Sequence, residues 1–193
     1  ASARGGRLQG REASSSGRDS DSVSVRQALR SWSFWVLVLI FAAQTFGTGA
    51  LNVHLIPYLE SDDVGFSRGQ AASVLGFYTV LSVFGRLGGG WAADQFGGRT
   101  VMAVLLALQA AGFLILANLS AYWLVIPYAA LYGTAFGGLM TARGVIVSSF
   151  FGRDSFGGIW GLIGSGTVVT GVVAHVFMGW VFDVTGSYRL ALY

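Results

Sequence analysis

Five long apolar runs follow one another in this chain, and none of them contains an Asp or a Glu. They fall at about Phe34–Leu59, Gln70–Ala93, Thr100–Leu119, Tyr122–Phe150 and Phe156–Phe182. As a helix rising 1.5 Å per residue, each is long enough to cross roughly 30 Å of hydrocarbon. A bilayer core offers no water to the backbone, so such a run must bond its own N–H and C=O groups, as a helix does. A soluble bundle needs a polar face on each helix, and these runs leave none. With 53% hydrophobic and 11% charged residues, the chain cannot build a charged coat either. The fold class is therefore all-α integral membrane, with five transmembrane helices and Ser187–Tyr193 opening a sixth.

The ends carry different chemistry. Residues 1–30 are rich in Arg, Ser and Gly and bury too little apolar surface to offset ordering entropy. They read as a flexible cytoplasmic segment, a central loop with a short amphipathic helix near Val25–Leu29, and residues 31–193 as the transmembrane unit. All 12 basic residues are Arg, and six lie in the first 30. Glu12, Asp19 and Asp21 interrupt that stretch, which argues against a nucleic-acid partner. Arg99 and Arg153 fall on the same side as the tail, so that side is expected to be cytoplasmic, in a plasma or bacterial inner membrane. Trp32, Trp35, Tyr58, Trp91, Trp123 and Trp180 sit near span ends, where amphipathic rings anchor. Cysteine is absent, which excludes disulfides and thiolate metal sites, and no cofactor or metal is expected. The chain opens on Ala with no signal peptide, and reads as a piece of a longer polypeptide.

One motif occurs twice. Gly90-x-x-x-Asp94-x-x-Gly97-x-Arg99 returns as Gly179-x-x-x-Asp183-x-x-Gly186-x-x-Arg189. Three apolar runs separate the copies, an odd number, so they belong on opposite faces of the membrane. Phe46-Gly47-Thr48 and Tyr132-Gly133-Thr134 keep nearly the same offset. Repeats of inverted topology are the construction of secondary transporters. The first unit has three spans, and the second has two plus the start of another.

Polar residues inside the runs mark functional candidates. Gln44, Thr48 and Asn52 recur at i, i+4, i+8, one face of a helix. Tyr78, Ser82 and Arg86 do the same on the next span. Such faces avoid lipid and turn toward a cavity or a neighbouring helix, where hydrogen bonding alone would also account for them. Arg86 is the hardest to house. An Arg at mid-membrane costs at least about 2.5–3.5 kcal/mol on insertion scales, and no span offers it an acid. Its partners are then an anion held by its donor fork, a carboxylate from elsewhere, or Asp94 reached by snorkelling. Arg143 reads as an anchor near the cytoplasmic end of the fourth span. His54 is a candidate for proton coupling, since imidazole titrates near neutrality, though a structural role accounts for it and for His175 equally. Asp94 and Arg99, with Gly90 and Gly97, read as a cytoplasmic gate built on a loop. Gly85 and Gly89, like Gly133 and Gly137, offer small-x-x-x-small surfaces for close helix contact. An intramembrane hydrolase is excluded, because Ser165 and His175 stand about 15 Å apart along one helix.

The stretch Gly85-Arg86-Leu87-Gly88-Gly89-Gly90-Trp91-Ala92-Ala93-Asp94-Gln95-Phe96-Gly97-Gly98-Arg99 resembles the cytoplasmic loop motif of the major facilitator superfamily. Phe151-Gly152-Arg153-Asp154-Ser155-Phe156-Gly157, Asp183-Val184-Thr185-Gly186-Ser187-Tyr188 and His54-Leu55-Ile56-Pro57-Tyr58-Leu59 are similar to its monocarboxylate and oxalate–formate branch. The resemblance covers residues 30–193 and implies the C-terminal half of a twelve-helix carrier, helices seven to eleven and the start of twelve. The missing N-terminal half, the lipid bilayer, a small organic anion and protons are then its partners. The resemblance also implies that Arg86 contacts the substrate carboxylate. Gln44, Thr48, Asn52, Tyr78 and Ser82 would shape the cavity around it. The basic residue common after the motif's Asp is Gln95 here. The chain has no Lys, and its fifth span has no Arg, which argues against oxalate exchange. The reading is a secondary active transporter of small organic anions, foremost monocarboxylates, working by alternating access. A carrier of the same fold for a drug or sugar, and a non-transporting sensor or degenerate half-transporter, stay open as alternatives.

Overall fold

The structure is a computed structural model and describes residues 24–186. Most of the N-terminal segment, the opening of the sixth span and Arg189 of the second motif lie outside the described residues. Helix α1 (Val25–Arg30) starts on a capping box, in which Ser24 and Gln27 bond each other's backbone N–H. Helices α2 (Trp32–Glu60) and α3 (Arg68–Phe96) are capped by Ser31 and Ser67. Helix α4 covers Gly98–Ala117. The fourth span is not one regular helix. A 3-10 turn (Tyr122–Leu124) leads into α5 (Val125–Tyr128), a π-helical turn (Ala129–Gly133) and then α6 (Thr134–Phe151). Helix α7 (Phe156–Thr185) follows. Five membrane-length spans result among the described residues, within a few positions of those expected from hydropathy.

Cross-contacts fix how the spans alternate. At one face, the N-terminal face, Phe34 at the start of α2 packs edge-on to Phe151 at the end of α6. Arg99, opening α4, lies over the Phe150 ring at 4.3 Å. At the distal face, Tyr58 near the end of α2 donates to the Leu116 carbonyl near the end of α4, at 2.8 Å. Ser73 near the start of α3 meets the Tyr122 hydroxyl at 2.7 Å. The chain therefore crosses back and forth, and the two copies of the repeated motif end α3 and α7 on opposite faces.

Both copies end their helices on a glycine of positive φ, Gly186 as a left-handed cap whose N–H donates to the Phe182 carbonyl and Gly97 with an extended ψ of 134°. Gly97 at φ +83° and Gly186 at φ +68° occupy backbone conformations that L side chains rarely adopt. At Gly97 this permits a reversal on a single residue, with α4 beginning at Gly98. The loop read from the sequence is thus absent, and Asp94 lies in the last turn of α3.

Apolar packing divides into two clusters. One, at the N-terminal face, gathers Phe34, Phe41, Leu139, Phe151 and Ile159. The other, at the distal face, gathers Leu55, Tyr58, Leu116, Tyr128, Tyr132 and Met178. Between them α3 and α6 press together along their glycines. A methyl on Gly89 would lie 2.6 Å from the Gly138 Cα, and one on Gly133 would lie 2.6 Å from the Tyr78 carbonyl oxygen. Gly85 faces the Thr134 carbonyl and Gly137 faces the Ser82 carbonyl just as closely. Exposed Leu39, Val104, Leu114, Val172 and Val176 present the apolar exterior that a bilayer requires.

Candidate functional site

At mid-depth, between the two apolar clusters, α2, α6 and α7 line a half-open cavity of about 310 Å³. The 29-residue α2 places Gln44, Thr48 and Asn52 along its wall, one turn apart, with Thr45 and Gly49 beside them. Helix α6 contributes Phe136, Met140 and Arg143, and α7 contributes Thr167, Val168, Gly171 and His175. Among the described residues no Asp or Glu lines it.

Arg143 is its fixed charge. One terminal nitrogen donates to the Thr45 Oγ1 at 3.3 Å, and the guanidinium carbon lies 4.9 Å from the Phe41 ring centroid. Its Nε is buried without a hydrogen-bond partner, as is the Gln44 Oε1. A buried donor without an acceptor carries a desolvation cost of about 1–3 kcal/mol, more when charged. Thr48 turns its hydroxyl back to the Gln44 carbonyl at 2.9 Å. His175 places Nδ1 2.6 Å from the Gly171 carbonyl. A carbonyl only accepts, so Nδ1 carries the proton in that contact, and Nε2 is left to accept or to be protonated. Gly49 faces this ring closely, since a methyl there would sit 3.6 Å from the His175 Cε1.

The remaining sequence candidates lie elsewhere. The Tyr78 hydroxyl donates to the Asn52 Oδ1 at 3.2 Å, joining α3 to the cavity wall from behind. Ser82 is buried, and its hydroxyl donates to the Thr79 carbonyl at 2.7 Å. Neither lines the cavity. Arg86 is exposed on α3, ten residues before Phe96, so about 15 Å from the helix end. The Thr141 hydroxyl reaches the Arg86 backbone carbonyl at 3.3 Å, and the side chain has no partner among the described residues. His54 is half-buried in α2 beyond Asn52 and does not line the cavity. Asp94 and Arg99 are both exposed and form no ion pair with each other among the described residues; Arg99 spends its charge on Phe150.

The sequence reading missed Thr45, Thr167, Arg143 and His175 as wall residues. A signal was there. Thr167, Gly171 and His175 fall at i, i+4, i+8 on α7, the spacing already seen on α2, and Phe136, Met140 and Arg143 share a face of α6.

Membrane-length helices folded back and forth around a polar mid-depth pocket define a multi-pass helical membrane protein. The model of the major facilitator superfamily matches residues 37–193, and the chain belongs to that family. It is similar to monocarboxylate transporter 12 of Rattus norvegicus, 28% identical over 162 residues that cover 82% of this chain and 33% of that protein. The Homo sapiens protein of the same name is 28% identical, over 82% of this chain and 31% of its own length. The Xenopus laevis protein is 25% identical, over 82% of this chain and 35% of its own length. The chain thus spans about a third of the length of the curated relatives it matches.

Proposed function

We propose that this chain is the C-terminal half of a secondary active transporter of small organic anions, foremost monocarboxylates. The observation that carries the reading is the mid-depth cavity, whose wall holds a cation with an unbonded donor and no acid. Such a wall attracts an anion and leaves a cation unpaired with anything. The names of the relatives support a carboxylate as cargo.

In this reading the half rocks against an N-terminal half about a site near the membrane midplane. Arg86 faces that other half and binds the substrate's carboxylate with its donor fork. Gln44, Thr48 and Asn52 form the cavity wall, while Tyr78 and Ser82 hold it from the α3 side. His54 is a proton-coupling candidate, and Gly90, Asp94, Gly97 and Arg99 act as a gate that closes the cytoplasmic side. The N-terminal segment lies in the cytoplasm, and the membrane is the plasma or bacterial inner membrane.

Uptake of labelled L-lactate and pyruvate by the full-length protein in liposomes tests this. Replacing Arg86 by Gln removes a charged hydrogen bond and is expected to lower kcat/KM about tenfold or more. Arg86→Lys keeps the charge but loses the fork and should fall between. Equal uptake by wild type and both variants would remove Arg86 from carboxylate binding.

A further inference from the structure

The cavity holds two charge-bearing side chains that neither the repeat nor the loop motif explains, Arg143 and His175. The geometry points to a carboxylate-binding site inside this half, in which Arg143 holds the anion and His175 carries an accompanying proton. It rests on the anion-carrier reading, but gives the proton to His175 in place of His54 and lets Arg143 share the anion with Arg86, since neither Arg86 nor His54 lines the cavity.

Arg143 lies eight residues before Phe151, so about 12 Å from the end of α6. A side chain that snorkelled would run toward that end. This one instead crosses the cavity to Thr45 on α2, at 3.3 Å, beside the uncharged Phe41 ring. A guanidinium has five N–H donors. Thr45 takes one, and Nε is buried with no acceptor. A carboxylate is the group that accepts from two of those donors at once.

His175 is the second half of the site. Its Nδ1–H is committed to Gly171, which leaves Nε2 as the protonatable atom. Charged and titratable groups around it are few. Helix α2 brings only neutral Gln44, Thr45, Thr48 and Asn52 to the wall, α6 brings Arg143, and α7 brings His175 itself. Among the described residues lining the cavity, no acid competes for the guanidinium or the imidazolium. Thr45, which Arg143 bonds, and Gly49, where an added methyl would stand 3.6 Å from the His175 Cε1, are one turn apart on α2, about 6 Å.

The charge balance follows. The empty cavity carries one positive charge, and an anion alone neutralises it. An anion with a proton on His175 restores one positive charge. Empty and fully loaded forms then cross the membrane with equal charge, while the anion alone does not. Nothing covalent changes; the proton enters Nε2 from one side and leaves from Nε2 on the other.

The test uses the full-length protein, with L-lactate and pyruvate as probes of both transport and thermal stabilisation in detergent. Arg143→Gln is expected to raise the half-saturating lactate concentration at least tenfold, and Arg143→Lys less. His175→Gln, in a protein whose thermal melting shows it folded, should lose the acceleration of lactate uptake by an inward proton gradient. A folded Arg143→Gln protein that saturates like wild type overturns the anion site. A His175→Gln protein still driven by the proton gradient overturns the proton role. Should Arg143→Gln not fold, Thr45→Val removes only the hydroxyl that holds the guanidinium; a severalfold weaker lactate affinity supports the site, and an unchanged one overturns it. A wild type that neither transports nor is stabilised by any of these acids overturns the anion-carrier reading, and this site with it.

Discussion

Substituting Gly137 by Ala adds one methyl at the tightest point of the α3–α6 seam. That methyl would lie 2.7 Å from the Ser82 carbonyl carbon and 2.8 Å from its Cα, with the carbonyl oxygen nearer still. Ordinary contact begins at 3.4 Å, so α3 and α6 must part by about 0.7 Å or more. The obstacle is backbone and cannot rotate aside. Parting the helices also loosens Gly133 against Tyr78 and Gly89 against Gly138. Overpacking of this kind costs about 1–3 kcal/mol. Gly144→Ala in the same helix is the control, because nothing stands within 4 Å of a methyl there. Both variants gain up to about 1 kcal/mol of helix propensity, so their difference isolates the seam. For a unit of this size that difference corresponds to a melting temperature about 2–12 °C lower for Gly137→Ala. Thermal unfolding of the purified protein in detergent micelles, read by tryptophan fluorescence, measures it. Equal melting of the two variants would refute the close approach of α3 and α6 at Ser82.

Other changes probe separate features. Gly97→Ala forces an L side chain into φ +83° and should destabilise by about 1–2 kcal/mol, seen as a lowered melting temperature, while Gly90→Ala, with open space around it, should not. Tyr78→Phe removes the 3.2 Å bond to Asn52 and should cost about 0.5–1.5 kcal/mol, with no further loss when Asn52→Ala is added. Arg99→Gln and Phe150→Leu should each lose about 0.5–1 kcal/mol and show non-additivity in a double-mutant cycle, because the ring sits under the guanidinium at 4.3 Å. Asp94→Asn should leave that Arg99–Phe150 coupling energy unchanged, since no ion pair joins Asp94 to Arg99 among the described residues.

Much of this molecule was legible in one dimension. Span number, span limits and the opposed ends of α3 and α7 follow from run length and from the parity of crossings, which a bilayer enforces whatever the side chains do. The glycine pairs Gly85/Gly89 and Gly133/Gly137 could be named as packing surfaces, because small-x-x-x-small spacing puts them on one face of a helix. The stripe of Gln44, Thr48 and Asn52 could likewise be placed on a common face by its period. What periodicity leaves open is which faces meet. That depends on how each helix is rotated about its axis, which only the packing of all five sets. The rotation of α6 turns Arg143 away from the membrane surface and across to Thr45, and that of α7 brings His175 against Gly49. The rotation of α3 leaves Arg86 outside this cavity. The one-residue reversal at Gly97 was equally hidden, because a glycine before a helix fits a longer loop and a single positive-φ residue alike. Composition and period thus determined a helical membrane protein with polar faces, and tertiary packing decided which charges share a cavity.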